Sequence, residues 1–369
     1  MESFEIFLQA PPGLEQVLAE EARGLGFADP VPVPGGVTLH GGWPEVWRTN
    51  LWLRGATRVL VRIGAFRAFH LAQLDKRARK FPWGEVLRPD VALRVEATSR
   101  KSKIYHARAA AQRVERAIAE ELGAPIDAKA ALTLRVRIDD NLCIFSVDSS
   151  GDPLYKRGYK PAVGKAPLRE SMAALFLRAA GYDGRMPVLD PMCGSGTFPI
   201  EAAEIAAGLA PGRARGFAFE QLAGFDADRW AEMRARAGQV GETGLRFHGH
   251  DRNAGAIGSA RANADRAGVG DLCHFTAQAV SDLAPPEGPP GLVIANPPYG
   301  TRIGERKPLF ALYGALGEAL RARFKGWRVG IVTTDAGLAQ ATGLPFLPPG
   351  PPVPHGGLKV RLYRTDPLP

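Results

Sequence analysis

The sequence predicts an α/β protein, a mostly parallel sheet covered by helices on both faces and preceded by smaller α+β units. Three observations predict it. From residue 188 onward, short apolar runs alternate with helix-length stretches, the pattern of parallel strands joined by crossovers. Before residue 150, short strands and helices follow an order that suits a small α+β unit. The 369 residues suffice for two or three domains, and 45% hydrophobic with 23% charged residues excludes wholesale disorder.

Phe4 to Gln9 reads as a strand, after which Pro12-Gly13 opens an amphipathic run with Leu14, Val17 and Leu18 on one face. Gly24-Leu25-Gly26 stops that helix, and Val37-Thr38-Leu39-His40 and Val59 to Phe66 read as further strands. Val91 to Ala97 is an expected strand, Tyr105 to about Leu122 a helix, and Leu132 to Val147 a hairpin turning at Asp139-Asp140-Asn141. Ser149-Ser150-Gly151-Asp152-Pro153 marks a boundary. Two basic stretches follow, Tyr155-Lys156-Arg157-Gly158-Tyr159-Lys160 and Lys165-Ala166-Pro167-Leu168-Arg169-Glu170. Strands are then expected at 187–190, 245–250, 273–277, 291–295, 328–333 and 358–364, with helices between most of them. One helix, from about Leu309, carries Leu309, Tyr313, Leu316, Leu320 and Phe324 on one side. Leu347 to Pro354 is Pro-rich and reads as a loop between the last two strands.

A formal net charge of +9 suits an anionic partner, nucleic acid first among them. The charge collects between Lys76 and Arg113, where eleven Lys and Arg face only Glu85, Asp90 and Glu96. Within it, Arg100, Lys101, Lys103, Tyr105 and Arg108 gather at a strand–helix junction and form a candidate RNA-binding surface that tracks phosphates; a solvated charged face is the competing reading. Cys143, Cys193 and Cys273 are too far apart for a disulfide framework or a C-x-x-C motif, which points to a reducing compartment. No zinc or EF-hand spacing occurs, so no metal is expected. Met1-Glu2-Ser3-Phe4-Glu5 is acidic where a signal peptide is basic, and no stretch approaches about 18 uninterrupted apolar residues. A cytoplasmic location with no membrane partner is expected.

Val188-Leu189-Asp190 followed by Pro191-Met192-Cys193-Gly194-Ser195-Gly196-Thr197 reads as a strand ending in an acid, a glycine turn and a helix start. Pro199 occupies the third glycine position of a dinucleotide fingerprint, and no Lys completes a P-loop. Helix-start N–H groups can hold a carboxylate while the strand-end acid accepts from an ammonium, which suits S-adenosylmethionine; a simple packing turn is the alternative. Asp251, at the tip of the next strand, is placed to bind ribose hydroxyls, although an acid there can also cap a helix. Leu292-Val293-Ile294-Ala295-Asn296-Pro297-Pro298-Tyr299-Gly300 is the most specific signal in the chain. The lone pair of an exocyclic base amine is delocalised into the ring, so that nitrogen is a poor nucleophile. The Asn296 side-chain oxygen and the Pro297 carbonyl can accept its two N–H bonds and aim the lone pair at a methyl group. Pro297 and Pro298 fix the backbone, and Tyr299 can stack on an extruded base. Cys193 has no His or Lys beside it in sequence to activate a nucleophile, so it reads as structural or cofactor-lining.

These motifs, with the lead-in Pro167-Leu168-Arg169-Glu170 and Ser102-Lys103-Ile104-Tyr105-His106, resemble the THUMP-domain class I S-adenosylmethionine-dependent RNA methyltransferases. The bacterial large-subunit (23S) ribosomal RNA guanine-N2 methyltransferases are the most similar branch. The resemblance implies a ferredoxin-like domain over 1–60, a THUMP RNA-binding domain over 61–152 and a Rossmann-like class I methyltransferase domain over 153–369. It places Asp190, Met192, Cys193, Gly194, Ser195, Gly196, Thr197, Asp251, Gln278 and Asn296 around the cofactor, and Asn296, Pro297, Pro298 and Tyr299 at the target guanine. Gln278 stands where such enzymes usually carry an Asp facing the adenine amine; its side-chain oxygen can accept the same bond. The expected activity is direct methylation of guanine N2 in RNA, ribosomal first, by a monomer. The alternatives are a transfer-RNA guanine-N2 enzyme, an adenine-N6 nucleic-acid enzyme and a non-catalytic RNA-binding module.

Overall fold

The computed structural model describes residues 3–160, 168–239, 241–299 and 306–369. Lys165, Ala166, Pro167 and Gly300, quoted within the motifs above, lie outside the described residues.

The chain opens with β1 (Phe4–Gln9), α1 (Glu15–Gly24), β2 (Val31–Val33), β3 (Gly36–Gly41), α2 (Trp43–Trp52) and β4 (Arg58–Arg67). There follow α3 (Leu71–Ala78), β5 (Leu93–Arg100), α4 (Ala107–Glu121), β6 (Leu132–Asp139) and β7 (Leu142–Asp148). Next come α5 (Glu170–Ala179), β8 (Val188–Asp190), α6 (Thr197–Ala206), α7 (Ala227–Ala235), β9 (Phe247–Asp251) and α8 (Ala254–Ala267). The chain closes with β10 (Cys273–Ala277), β11 (Leu292–Ala295), α9 (Arg306–Arg323), β12 (Arg328–Thr333), α10 (Ala336–Ala341), β13 (Val353–His355) and β14 (Leu358–Arg364). The described residues fall into two compact units. One holds those within Met1–Ala10, Ala19–Leu154 and Gly212–Ala237, the other those within Pro11–Leu18, Tyr155–Pro211 and Gly238–Pro369.

The first unit is built on one sheet, in the order β2-β3-β1-β4-β7-β6-β5. Its pairings are antiparallel except β5 with β6, and it runs without a break across position 60, inside β4. Asp140 and Asn141, at φ 47° and 62°, make the tight turn joining β6 to β7, since short Asx side chains tolerate this left-handed region. On α4, Ala110, Val114, Ala117 and Ile118 are buried at helical spacing, which fixes the helix against its sheet. The helix begins at Ala107, so Tyr105, expected on it, lies in the preceding loop. Gly212–Ala237 belongs to this unit although its chain neighbours do not. Phe219 packs edge-on to Trp230 at 4.9 Å and against Trp47, and Arg215 donates to the Ser150, Asp152 and Pro153 carbonyls.

The second unit has the sheet order β10-β9-β8-β11-β12-β14-β13. β10 through β12 are parallel, and β14 and β13 close the edge antiparallel. The chain therefore winds outward from β8 in one direction and from β11 in the other. Such a switch point leaves a crevice at the carboxyl ends of the two strands. Leu189, Val293, Val329 and Ile331 bury one sheet face against Tyr313, Leu316, Leu320 and Phe324 of α9. The expected loop over Leu347 to Pro354 needs correction: Val353 and Pro354 enter β13, which pairs with β14 through a Gly356-Gly357 turn at φ 56° and 83°. Proline is tolerated because β13 is the edge strand.

Candidate active site

β8 is buried throughout and delivers Asp190, 3% exposed, to the crevice. The turn behind it needs glycine for two different reasons. A Cβ on Gly196 (φ +83°) would lie 3.1 Å from Ala260 and Phe275, so this glycine lets the turn pack on α8 and β10. Gly194 (φ +52°) would meet nothing within 4 Å, so the turn is open there to an approaching ligand. Backbone and side-chain bonds pin the turn. Cys193 N–H donates to the His250 carbonyl at 2.8 Å, and Gly194 N–H donates to Asp251 Oδ2 at 3.1 Å. Asn263 Nδ2 donates to the Ser195 carbonyl at 3.0 Å and is itself held by Arg266. Lys160, its side chain 7% exposed, donates from Nζ to Thr197 Oγ1 at 2.6 Å and pairs with Glu170. Lys160, Asn263 and Arg266 were not singled out from sequence, because Lys160 reaches Thr197 across 37 residues, Asn263 reaches Ser195 across 68, and Arg266, besides holding Asn263, donates to the Tyr159 carbonyl across 107.

The charges here are set by burial. Loss of water pushes the Asp190 carboxyl up to about 8, against the lowering effect of the Met192 N–H bond and with a further rise from Asp251. Burial, then Asp190 and Asp251, push the Cys193 thiol far up, so it stays protonated. Asp251 uses Oδ2 for Gly194 and Oδ1 for Asn253 N–H at 2.9 Å. Each carboxylate oxygen has a second lone pair, so hydroxyl donors can still be accepted. The Gln278 N–H donates to the Asp251 carbonyl at 3.1 Å, which brings Gln278 to the same end of the sheet.

β11, adjacent to β8, ends at Ala295 and presents Asn296, Pro297, Pro298 and Tyr299 at the carboxyl edge. Asn296 Oδ1 is buried and has no hydrogen-bond partner among the described residues. Burial pushes the Tyr299 hydroxyl up, and a hydrogen bond donated to its oxygen by the Asn296 amide nitrogen, not involving Oδ1, acts against that shift. A buried amide oxygen without a partner costs stability unless a ligand donates to it. The residues fit S-adenosylmethionine and a base amine: a glycine turn with open space, a buried carboxyl for a cation, a second acid at the next strand and an orphaned acceptor. Asp190, Met192, Cys193, Gly194, Ser195, Gly196, Thr197, Asp251, Gln278, Asn296, Pro297, Pro298 and Tyr299 thus all lie at or just beyond the carboxyl ends of β8 to β11, though the Thr197 hydroxyl is already engaged by Lys160.

Arg100, Lys101, Lys103, Tyr105 and Arg108 lie in the first unit and are all exposed, Tyr105 at 74%. Their loop is tied down: Lys103 N–H donates to Asn141 Oδ1 at 2.9 Å, and Asn141 N–H donates to Ser102 Oγ at 3.0 Å. Lys103 Nζ stands 5.6 Å from the ring centre of exposed Phe69, which the sequence reading did not include. Among the described residues no helix is long and apolar enough to cross a membrane, and no cluster of acids, His and Cys could hold a metal.

Comparison with known proteins gives the same outline. The model of the UPF0020 family, RMKL-like methyltransferase domain, matches residues 157–344, and that of the RlmL ferredoxin-like domain matches residues 5–60. A Synechocystis sp. protein, named as a candidate RNA methyltransferase, is 33% identical over 96% of this chain and 94% of its own. A protein of Methylococcus capsulatus, named ribosomal RNA large subunit methyltransferase K/L, is 35% identical over 92% of this chain and 48% of its own. The chain therefore spans about half the length of that relative. The solved structure of SMU.472, a candidate methyltransferase complexed with SAH, is similar with a TM-score of 0.89 at 29% identity, covering 100% of this chain and 99% of that one.

Proposed function

We propose, since the chain belongs to the UPF0020 family of RMKL-like methyltransferase domains, that it methylates the exocyclic N2 amine of a guanine in 23S ribosomal RNA. S-adenosylmethionine is its cofactor and, when bound, supplies an electrophilic methyl group on a sulfonium. The observation that carries the proposal is the buried Asn296 Oδ1, without a hydrogen-bond partner among the described residues, beside Pro297 at the switch point of the sheet.

Asn296 Oδ1 and the Pro297 carbonyl accept the two N–H bonds of the target amine and turn its lone pair toward the methyl group. Tyr299 stacks on the extruded base. Asp190 and the open Gly194 side of the turn hold the amino-acid end of the cofactor; Asp251 holds the ribose, and Gln278 accepts from the adenine amine. Transfer is direct, because the Cys193 thiol is held protonated and offers no nucleophile. Arg100, Lys101, Lys103, Tyr105 and Arg108, within the expected RNA-binding part over 61–152, hold RNA. The enzyme works as a cytoplasmic monomer.

Nucleoside mass spectrometry on separated RNA fractions from a strain lacking the gene tests the reading. Loss of one N2-methylguanosine from large-subunit ribosomal RNA is expected. Loss confined to transfer RNA, or loss of N6-methyladenosine instead, overturns the substrate assigned here.

A further inference from the structure

Asn296-Pro297-Pro298 has a structural difficulty that its chemistry hides. Neither proline carries an N–H, so this stretch cannot be fastened through its own backbone donors at 297 or 298. Its carbonyls are the remaining anchors, and the proposed reaction reserves that of Pro297 for the substrate. Of the two carbonyls that are left, those of Asn296 and Pro298, the Pro298 carbonyl faces the hydroxyl of Tyr313, a fully buried α9 residue, at 3.5 Å. The same hydroxyl lies 3.2 Å from Thr333 Oγ1 at the carboxyl end of β12, and Thr333 Oγ1 is 3.4 Å from Asp335 N–H.

One hydroxyl proton serves one acceptor at a time, and a carbonyl only accepts. The consistent chain of donors therefore runs from Asp335 N–H to Thr333, from the Thr333 hydroxyl to Tyr313, and from the Tyr313 hydroxyl to the Pro298 carbonyl. Thr333 is completely buried, so no water competes for these bonds from its side. Catalytic hydrogen bonds are often long in ligand-free enzymes and tighten in the loaded complex.

We propose that Tyr313, backed by Thr333, is the positioning residue of the transfer: it fixes the peptide planes of the diproline loop so that Asn296 Oδ1 and the Pro297 carbonyl meet the amine together. Tyr313 touches neither substrate nor cofactor. The inference rests on the role given to Asn296 above.

The test compares Tyr313→Phe, Thr333→Val, Thr333→Ser and Asn296→Ala in methyl transfer to total RNA from a strain lacking the gene, with calorimetric binding of S-adenosylmethionine and thermal melting on each variant. Tyr313→Phe keeps the ring that fills the core. It is expected to lose about tenfold in kcat with unchanged cofactor Kd and a melting temperature near wild type. Thr333→Val should lose a smaller factor, and Thr333→Ser, which keeps the hydroxyl, should recover the wild-type rate. Full kcat in Tyr313→Phe beside an inactive Asn296→Ala overturns the positioning role alone. A loss in Tyr313→Phe matched by weaker cofactor binding or a clear drop in melting temperature also overturns it, since that is a packing effect. A nearly wild-type Asn296→Ala overturns the Asn296 reading and this inference with it.

Discussion

The two units place their candidate functional groups in opposite environments. In the first, Arg100, Lys101, Lys103, Tyr105 and Arg108 stand in water on a loop tied by Ser102 and Asn141. In the second, Asp190 is 3% exposed, its carboxyl pushed up to about 8, and Asn296 Oδ1 is buried without a partner among the described residues. Exposed cations act additively through long-range, salt-screened attraction. Buried groups act through a few directional bonds whose loss is felt in full. One region should therefore yield by small increments, and the other by abrupt losses at single atoms.

The sharpest break expected is Asn296→Ala, which should reduce kcat by about 10²- to 10³-fold, the range for losing one preorganised polar group at a reacting centre. Cofactor affinity measured by calorimetry should stay near wild type. Next is Asp251→Ala, which removes the acceptor of both Gly194 and Asn253 N–H. Its affinity for S-adenosylmethionine should fall by about 10- to 100-fold, as expected for lost charge-assisted bonds. If affinity is unchanged, Asp251 does not hold the ribose.

A pH titration of cofactor affinity probes Asp190. Its carboxyl holds a proton to about pH 8 in the free site, and pairing with a cation requires that proton to leave. Affinity should therefore rise with pH between 6 and 7.5, by at most about tenfold per unit. Asp190→Asn, which has no proton to release, should bind more weakly and flatten the dependence. An equally steep rise in that variant assigns the titration elsewhere.

The smallest effect belongs to the exposed surface. Replacing Arg100, Lys101 and Lys103 together with Ala should weaken RNA binding severalfold at moderate salt. It should also reduce the slope of log affinity against log salt by about 2, at roughly 0.7 per phosphate contact for single strands. Melting temperature should not change. An unaltered slope would remove the surface from the binding account.

Legibility in the sequence divides along similar lines. The strands of the second unit were readable because short apolar runs alternate with helix-length stretches and two of them, β8 and β11, end in chemically specific motifs; their order in the sheet is set by long-range pairing that local pattern does not encode. Val353–His355 was hidden by its proline, although Gly356-Gly357 is a hairpin signal. Gly212–Ala237 joins the first unit through Phe219 and Trp230 against α2, a long-range pairing that no local pattern encodes. Tyr313 was legible as an apolar helix position and illegible as a hydroxyl, because periodicity reports the ring while the acceptor sits 15 residues away. Lys160 is one of several cations in a basic run, and nothing local shows that its side chain, 7% exposed, bonds Thr197 and pairs with Glu170.

The most direct test of the central claim is the nucleoside formed when the purified chain transfers isotopically labelled methyl from S-adenosylmethionine to unmodified 23S ribosomal RNA. Labelled N2-methylguanosine at a single site, absent with Asn296→Ala, is the expected result. Label recovered as N6-methyladenosine, or N2-methylguanosine formed undiminished by Asn296→Ala, would contradict it.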